Sequence, residues 1–273
     1  MESIWTHWHA HPDVLIGLAI LEGAYLLGVG PIRQRYKLAE SVDPQQVATF
    51  TIGVLVIFFS LLSPLHILSD QYLFSAHMLQ HVLLTLVAPP LLIIGTPDWL
   101  IRRMLRPDWA FIAARITLHP VVAVVLFNVV FSVWHLPALY ELSVTSRSVH
   151  IGEHLLFIAT AMIMWWPLMS TMPELPRLSY PLQMVYLFVM SLAQIIVFGA
   201  ITFAPEPLYE WYVNAPRIWS QSALADQQIG AVIMKVGGGL LFITLMIIAF
   251  FRWYGAEQRK EKAEAAELGI ARE

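Results

Sequence analysis

Two His-x-x-x-His pairs, His77/His81 and His150/His154, stand at the starts of long apolar segments in a chain without cysteine. Residues four apart on a helix share one face, a turn from each other, so each pair points two imidazoles the same way. Ionisable groups at membrane depth are costly and mark function by default. Four imidazoles arranged like this suit a metal ion, and imidazole takes copper, zinc or iron. The lack of cysteine excludes thiolate sites and disulfides. Soft-metal chemistry therefore falls to histidine and methionine, which suits an oxidising outer face.

The elements that position these groups follow from composition. Of 273 residues, 58% are hydrophobic and 13% charged, with a mean hydropathy of +0.66. Soluble domains carry about a quarter charged residues. A bilayer-crossing helix needs roughly 20 apolar residues, and seven stretches qualify, at about 14–32, 48–67, 74–96, 118–137, 149–171, 181–203 and 230–252. The expectation is one all-α, polytopic bundle of seven transmembrane helices over residues 1–253, with a solvated helical tail at 254–273. Residues 1–13 lack a basic leader and a cleavage site, so the first span is expected to be retained.

Charge sets the expected sidedness. Arg33, Arg35, Lys37, Arg102, Arg103, Arg106, Arg115, Arg177, Arg252, Arg259, Lys260, Lys262 and Arg272 all fall on one side of a seven-span topology. Only Arg147 and Arg217 fall on the other, with Lys235 inside span seven. Positive residues stay inside, which places the N-terminus outside and the C-terminus in the cytoplasm. Nine of the ten histidines then lie toward the outer face, His119 alone toward the inner one. His66 ends span two, His77 and His81 open span three, His135 ends span four, and His150 and His154 open span five. The expected metal set is His77, His81, His135, His150 and His154.

Neighbouring residues carry weaker expectations. A single membrane histidine commonly bonds to an adjacent helix, the reading favoured for His66 and His119. His7, His9 and His11 alternate with Trp5 and Trp8, a pattern that suits an interfacial aromatic belt as well as an arm touching the site. Met78 lies about 100° around the helix from the His77/His81 face and reads as apolar filler, with Met234 near the outer end of span seven. Asp70, Glu153 and Asp226 are candidates to orient imidazole N–H groups, Glu153 being the best placed. Lys235 is expected to snorkel outward. Pro64, Pro89, Pro90, Pro120 and Pro167 are expected to end or kink helices, the Pro89-Pro90 pair bending span three below a straight histidine-bearing half. Residues 204–229, rich in proline and aromatics, read as a segment lying on the outer membrane surface.

Four stretches carry a family resemblance: SAHMLQHVLLTLVAPPLLIIGTP at 75–97, WHLPALYELS at 134–143, VHIGEHLLF at 149–157 and ALADQQIGAVIM at 223–234. With the seven spans, they resemble the CtaG family, membrane assembly factors of caa-type cytochrome c oxidase. The resemblance implies delivery or insertion of copper, as Cu(I), at the CuB centre of oxidase subunit I, with an extracytoplasmic copper donor. His77, His81, His135, His150 and His154 fall on the family's motif histidines, and Asp226 and Gln227 on its Asp-Gln motif. Lys235 departs from the pattern, standing where the family has an aromatic residue followed by a proline.

Two other readings compete. A seven-span zinc hydrolase needs three histidines, an open position and a base, and five histidines exceed that. A bis-histidine haem needs ligands facing across a wide slot, whereas paired histidines on one face suit a small ion. No phosphate loop, serine triad or nucleic-acid motif is present. The topology is tested by Ser3→Cys and Ala265→Cys in intact cells. The first is expected to react with a membrane-impermeant thiol reagent and the second not; the reverse pattern overturns the assignment.

Overall fold

The structure, a computed structural model, describes residues 8 and 11–267. Its elements are helices, with no strand among the described residues. In chain order they are α1 (Pro12–Tyr36), α2 (Pro44–Leu62), α3 (Pro64–Gln71), α4 (Phe74–Gly95), α5 (Asp98–Met104), α6 (Asp108–Thr117), α7 (Pro120–Trp134), α8 (Pro137–Thr145), α9 (Arg147–Met169), α10 (Tyr180–Thr202), α11 (Glu210–Asn214) and α12 (Ala223–Glu267). Six of them, α1, α2, α4, α9, α10 and α12, are long and apolar enough to cross a membrane. The 15 residues of α7 reach only about 22 Å at 1.5 Å per residue, short of a core roughly 30 Å thick. It joins α6 at a bend of 74°, so the described residues hold six candidate crossings, or seven if this bent pair makes one.

Proline shapes these elements more by starting helices than by kinking them. Pro12, Pro44, Pro64, Pro120 and Pro137 each open a helix, where the missing N–H is no loss. Asp43 caps α2 by accepting from Gln45 N at 2.8 Å, and the Ser63 hydroxyl caps α3 through Leu65 N at 3.2 Å. The expected end of span two is thus a break at Ser63, and His66 belongs to the separate α3. Pro89 and Pro90 do not end α4. A π-helical turn at Leu83–Val87 widens the ladder just before them, the usual accommodation for a mid-helix proline. His77 and His81 sit in the regular turns above it. A second π-turn, Gly28–Ile32, absorbs Pro31, a site the sequence reading passed over. Pro167 falls in the last turn of α9, and α12 runs unbroken past residues 253–254 to Glu267.

α4 is the hub. It packs against α2, α3, α9 and α12, while α7 and α10 close the ring and α1 leans on α2. Its first turn is clamped by Asp226 of α12, which accepts from Phe74 N at 2.7 Å, Ser75 N at 3.3 Å and the Ser75 hydroxyl at 2.5 Å. Two helix-start donors are thereby satisfied, and the carboxylate lies where the helix dipole favours negative charge. Gln227 beside it ties the loop after α10 to α12, accepting from Leu208 N at 2.6 Å and donating to Ile201 O at 3.1 Å. Close approach is enabled by Gly230, where a Cβ would lie 2.5 Å from the Phe74 ring.

At the opposite end of the bundle, the Tyr25 hydroxyl donates to Gly95 O at 2.8 Å while its ring stacks on Phe50 at 3.7 Å. Arg102 pairs with Glu174 at 2.7 Å and holds that carboxyl below its ordinary value. A Cβ on Gly95 would come within 2.4 Å of Phe50 N, which is backbone and cannot turn aside. Gly95→Ala is therefore expected to destabilise the bundle by about 1–3 kcal/mol, read as a lower thermal midpoint in detergent. Gly17→Ala, where nothing lies within 4 Å, is the control that leaves the midpoint in place.

Candidate metal centre

α4 and α9 turn their histidine faces toward each other beside the end of α7. The His77 and His81 ring centres are 4.4 Å apart, those of His150 and His154 4.4 Å, and those of His81 and His154 5.7 Å. His77 lies 5.3 Å from His150 and 6.1 Å from His154. His135, at the end of α7, comes within 5.6 Å of His81. Ligand atoms of His77, His81 and His154 all fall within 4.8 Å of one another, and so do those of His77, His150 and Glu153. His77, His81 and Glu153 are fully buried. Three helices thus bring all five sequence-selected histidines together, while exposed His119 caps α7 at the far end.

Supporting hydrogen bonds fix which nitrogen faces the cluster. The Tyr212 hydroxyl donates its single proton to Ser69 O at 2.6 Å, so its oxygen accepts at His77 Nδ1, 2.9 Å away. The Tyr140 hydroxyl stands 2.9 Å from the same nitrogen and 3.2 Å from Tyr212. Burial, with the neighbouring phenol adding to it for Tyr140, pushes both phenols well above their ordinary value, so each keeps its proton. His77 therefore carries its proton on Nδ1 and turns the Nε2 lone pair toward His81, 2.8 Å away. At His135 the carbonyl of Phe131 can only accept, so Nδ1 donates to it at 2.7 Å and Nε2 is left bare. Holding the outer nitrogen so that the inner one is free to ligate is how proteins orient metal-binding histidines.

Six further atoms of the cluster lack partners. Nε2 of His135, His150 and His154, Nδ1 of His81 and both Glu153 oxygens are buried without a hydrogen bond. Leaving one buried polar group unpaired costs about 1–3 kcal/mol, more if it is charged. Six such atoms in one place are hard to reconcile with a purely structural cluster, and each is a metal-ligand type. Glu153 adds a carboxylate 3.9 Å from His81 Nε2. The donor set fits a small cation held by imidazole.

Other expectations meet a mixed outcome. Asp70 lies 3.6 Å from both His66 Nε2 and His150 Nδ1, close to the expected orienting role. Asp226 orients no imidazole, because its oxygens are taken by the start of α4. Lys235 does not reach outward: its Nζ donates to Ser191 O of α10 at 2.5 Å, beside the turn at Gln194 that interrupts that helix. Met78 and Met234 pack into the main hydrophobic core. The 204–229 segment folds inward through α11, burying Tyr209 and Tyr212, and Tyr209 donates to His135 O at 2.9 Å. The sequence reading missed Tyr140 and Tyr212, whose only sign was aromatic residues in loops flanking the histidine spans. Trp8 lies 6.1 Å from Phe59; Trp5, His7 and His9 lie outside the described residues.

No solved structure matches the chain. Two curated proteins match, uncharacterized proteins of Mycobacterium bovis and Mycobacterium tuberculosis, each 25% identical over 270 residues. The alignments take in 92% of this chain and 40% of those proteins, so the chain spans about two fifths of the curated relatives' length. The family model of the cytochrome c oxidase caa3 assembly factor (Caa3_CtaG) matches residues 23–256. That range holds all five clustered histidines, Glu153 and both supporting tyrosines, and the chain belongs to this family of cytochrome c oxidase assembly factors.

Proposed function

We propose that this chain binds copper within the membrane and delivers or inserts it at the CuB centre of cytochrome c oxidase subunit I, without catalysing a reaction. The observation that carries the reading is the cluster itself: five imidazoles on three helices, two with their tautomer set so that Nε2 faces inward. His77, His81, His135, His150 and His154 supply the ligands, and Glu153 supplies charge. A monovalent copper ion against one carboxylate leaves a dry site neutral, whereas a divalent ion leaves it with net positive charge that burial penalises. Cu(I) is therefore the cargo we favour over zinc.

Burial also separates this reading from its rivals. A zinc hydrolase needs a ligand position open to substrate and water, and His77, His81 and Glu153 are fully enclosed. A haem plane needs space between its axial ligands, and the facing nitrogens of His77 and His81 are 2.8 Å apart. The positive-inside pattern supports a plasma membrane protein with its histidine end outward, where an extracytoplasmic donor would supply the ion.

His81→Ala and His154→Ala test the function. Removing an imidazole from a polar cluster spares the apolar packing around it, so both variants are expected to fold. Disturbing a supporting group alone commonly costs 10–100-fold in metal affinity, and loss of a ligand is expected to cost at least that. Cells carrying the variant are expected to assemble oxidase with haem but depleted of CuB, partly restored by added copper through mass action. Full copper and full oxidase activity in a strain lacking both histidines would remove the assembly role.

A further inference from the structure

Between the histidine cluster and the protein surface lies a second group of metal-ligand side chains that the proposed function does not use. His11, just before α1, places its Nε2 3.1 Å from His66 Nε2, and the rings meet edge to face at 5.0 Å. Asp70, one turn beyond His66 on α3, sets one oxygen 3.6 Å from His66 Nε2 and the other 3.6 Å from His150 Nδ1. Gln80, oriented by Ser60 O at 2.7 Å and the Ser69 hydroxyl at 3.0 Å, donates its amide N–H to His66 Nδ1 at 3.2 Å, so His66 carries its proton on Nε2, toward Asp70 and His11. Arg147 lies 3.3 Å from His11 Nδ1, and its charge is met by Asp13 at 2.7 Å.

Exposure falls along this line. The Asp70 side chain is 35% exposed, His66 and His150 are 10% and 11% exposed, and His77 and His81 are at 0%. His150 belongs to both ends: its Nδ1 faces Asp70, while its ring stands 4.4 Å from His154 and 5.3 Å from His77. His11 lies outside the 23–256 range that the family model matches. A fully buried ion site needs a way in, since an ion stripped of all its water at once meets a desolvation cost of many kcal/mol. Partly hydrated ligands at the mouth divide that cost into steps.

Resting on the copper-binding reading, we propose that His11, Asp70 and His150, with His66 positioning Asp70, form a second, shallower metal site that receives the ion and passes it through His150 to the buried cluster. Passage is ligand exchange without change of oxidation state. The bonds to Asp70 and His11 break as bonds to His77 and His154 form, and His150 exchanges its bond through Nδ1 for one through Nε2. A neutral imidazole offers one bare nitrogen, so the His150 ring proton moves from Nε2 to Nδ1 as the ion crosses, and the ring stays neutral with no net loss of a proton.

The test uses the full chain in lipid nanodiscs, with Cu(I) supplied from a competing chelator and the bound metal counted by mass spectrometry. Wild type is expected to hold two ions. Asp70→Asn or His11→Ala is expected to hold one and to load at least about tenfold more slowly, in line with the loss on disturbing a metal site. His81→Ala is expected to keep one ion, and His81→Ala combined with Asp70→Asn to keep none. A thermal melt identifies any variant that has lost its fold; His11, at a partly exposed position before the first helix, is the safest to change. Wild type and both mouth variants holding the same number of ions and loading at the same rate would overturn the second site and leave the buried one standing. A wild type holding no copper would overturn the proposed function itself.

Discussion

The two N–H groups that open α4 belong to the helix against which α2, α9 and α12 all pack, and Asp226 of α12 takes both. Were they left bare in an apolar setting, each would cost what a lost buried hydrogen bond costs. With them satisfied from another helix, the start of α4 is fixed in height and rotation relative to α12. That rotation decides where His77 and His81 point. The π-turn lower in α4 then lets Pro89 and Pro90 sit in a continuing helix, so the histidine turns stay regular. Gly230 removes the one side chain that would hold α12 away from Phe74.

From that anchored helix the cluster is built by division of labour on each ring. Outer nitrogens are occupied by Tyr212 and Tyr140 at His77 and by the Phe131 carbonyl at His135. Nε2 of His135, His150 and His154 and Nδ1 of His81 are left buried without partners. A core that needed only stability would have no reason to bury six unpaired polar atoms together, since apolar residues of similar volume cost nothing comparable. The same reasoning assigns Asp226 and Gln227 to architecture: their polar atoms are fully employed in joining helices, so they have none to offer an ion.

Much of this was legible in the chain of letters, and for identifiable reasons. Apolar runs of bilayer length mark the spans, and a spacing of four puts two imidazoles on one face. Counting spans brings His77, His81, His135, His150 and His154 to one depth. What distance along the chain conceals is partnership. Tyr212 lies 135 residues from the histidine it supports, and no periodic pattern links a loop tyrosine to a helix face. Asp226 was read as a partner for imidazole because depth alone cannot say which polar group reaches it first. The 74° break between α6 and α7 escaped notice because a hydropathy run does not record direction. Lys235 was expected to reach for water, yet an interrupted turn of α10 brought a carbonyl within its reach.

The central claim is that imidazole, and not thioether, holds the ion. Met78 and Met234 lie in the adjoining core, so a sulfur-bound ion is the sharpest rival. X-ray absorption at the copper edge, on full-length protein loaded with Cu(I), separates them directly. The account requires nitrogen neighbours near about 2 Å with the outer-shell scattering of imidazole rings, and the loss of part of that signal in His81→Ala. A first shell containing sulfur, or a spectrum without imidazole scattering, would contradict it.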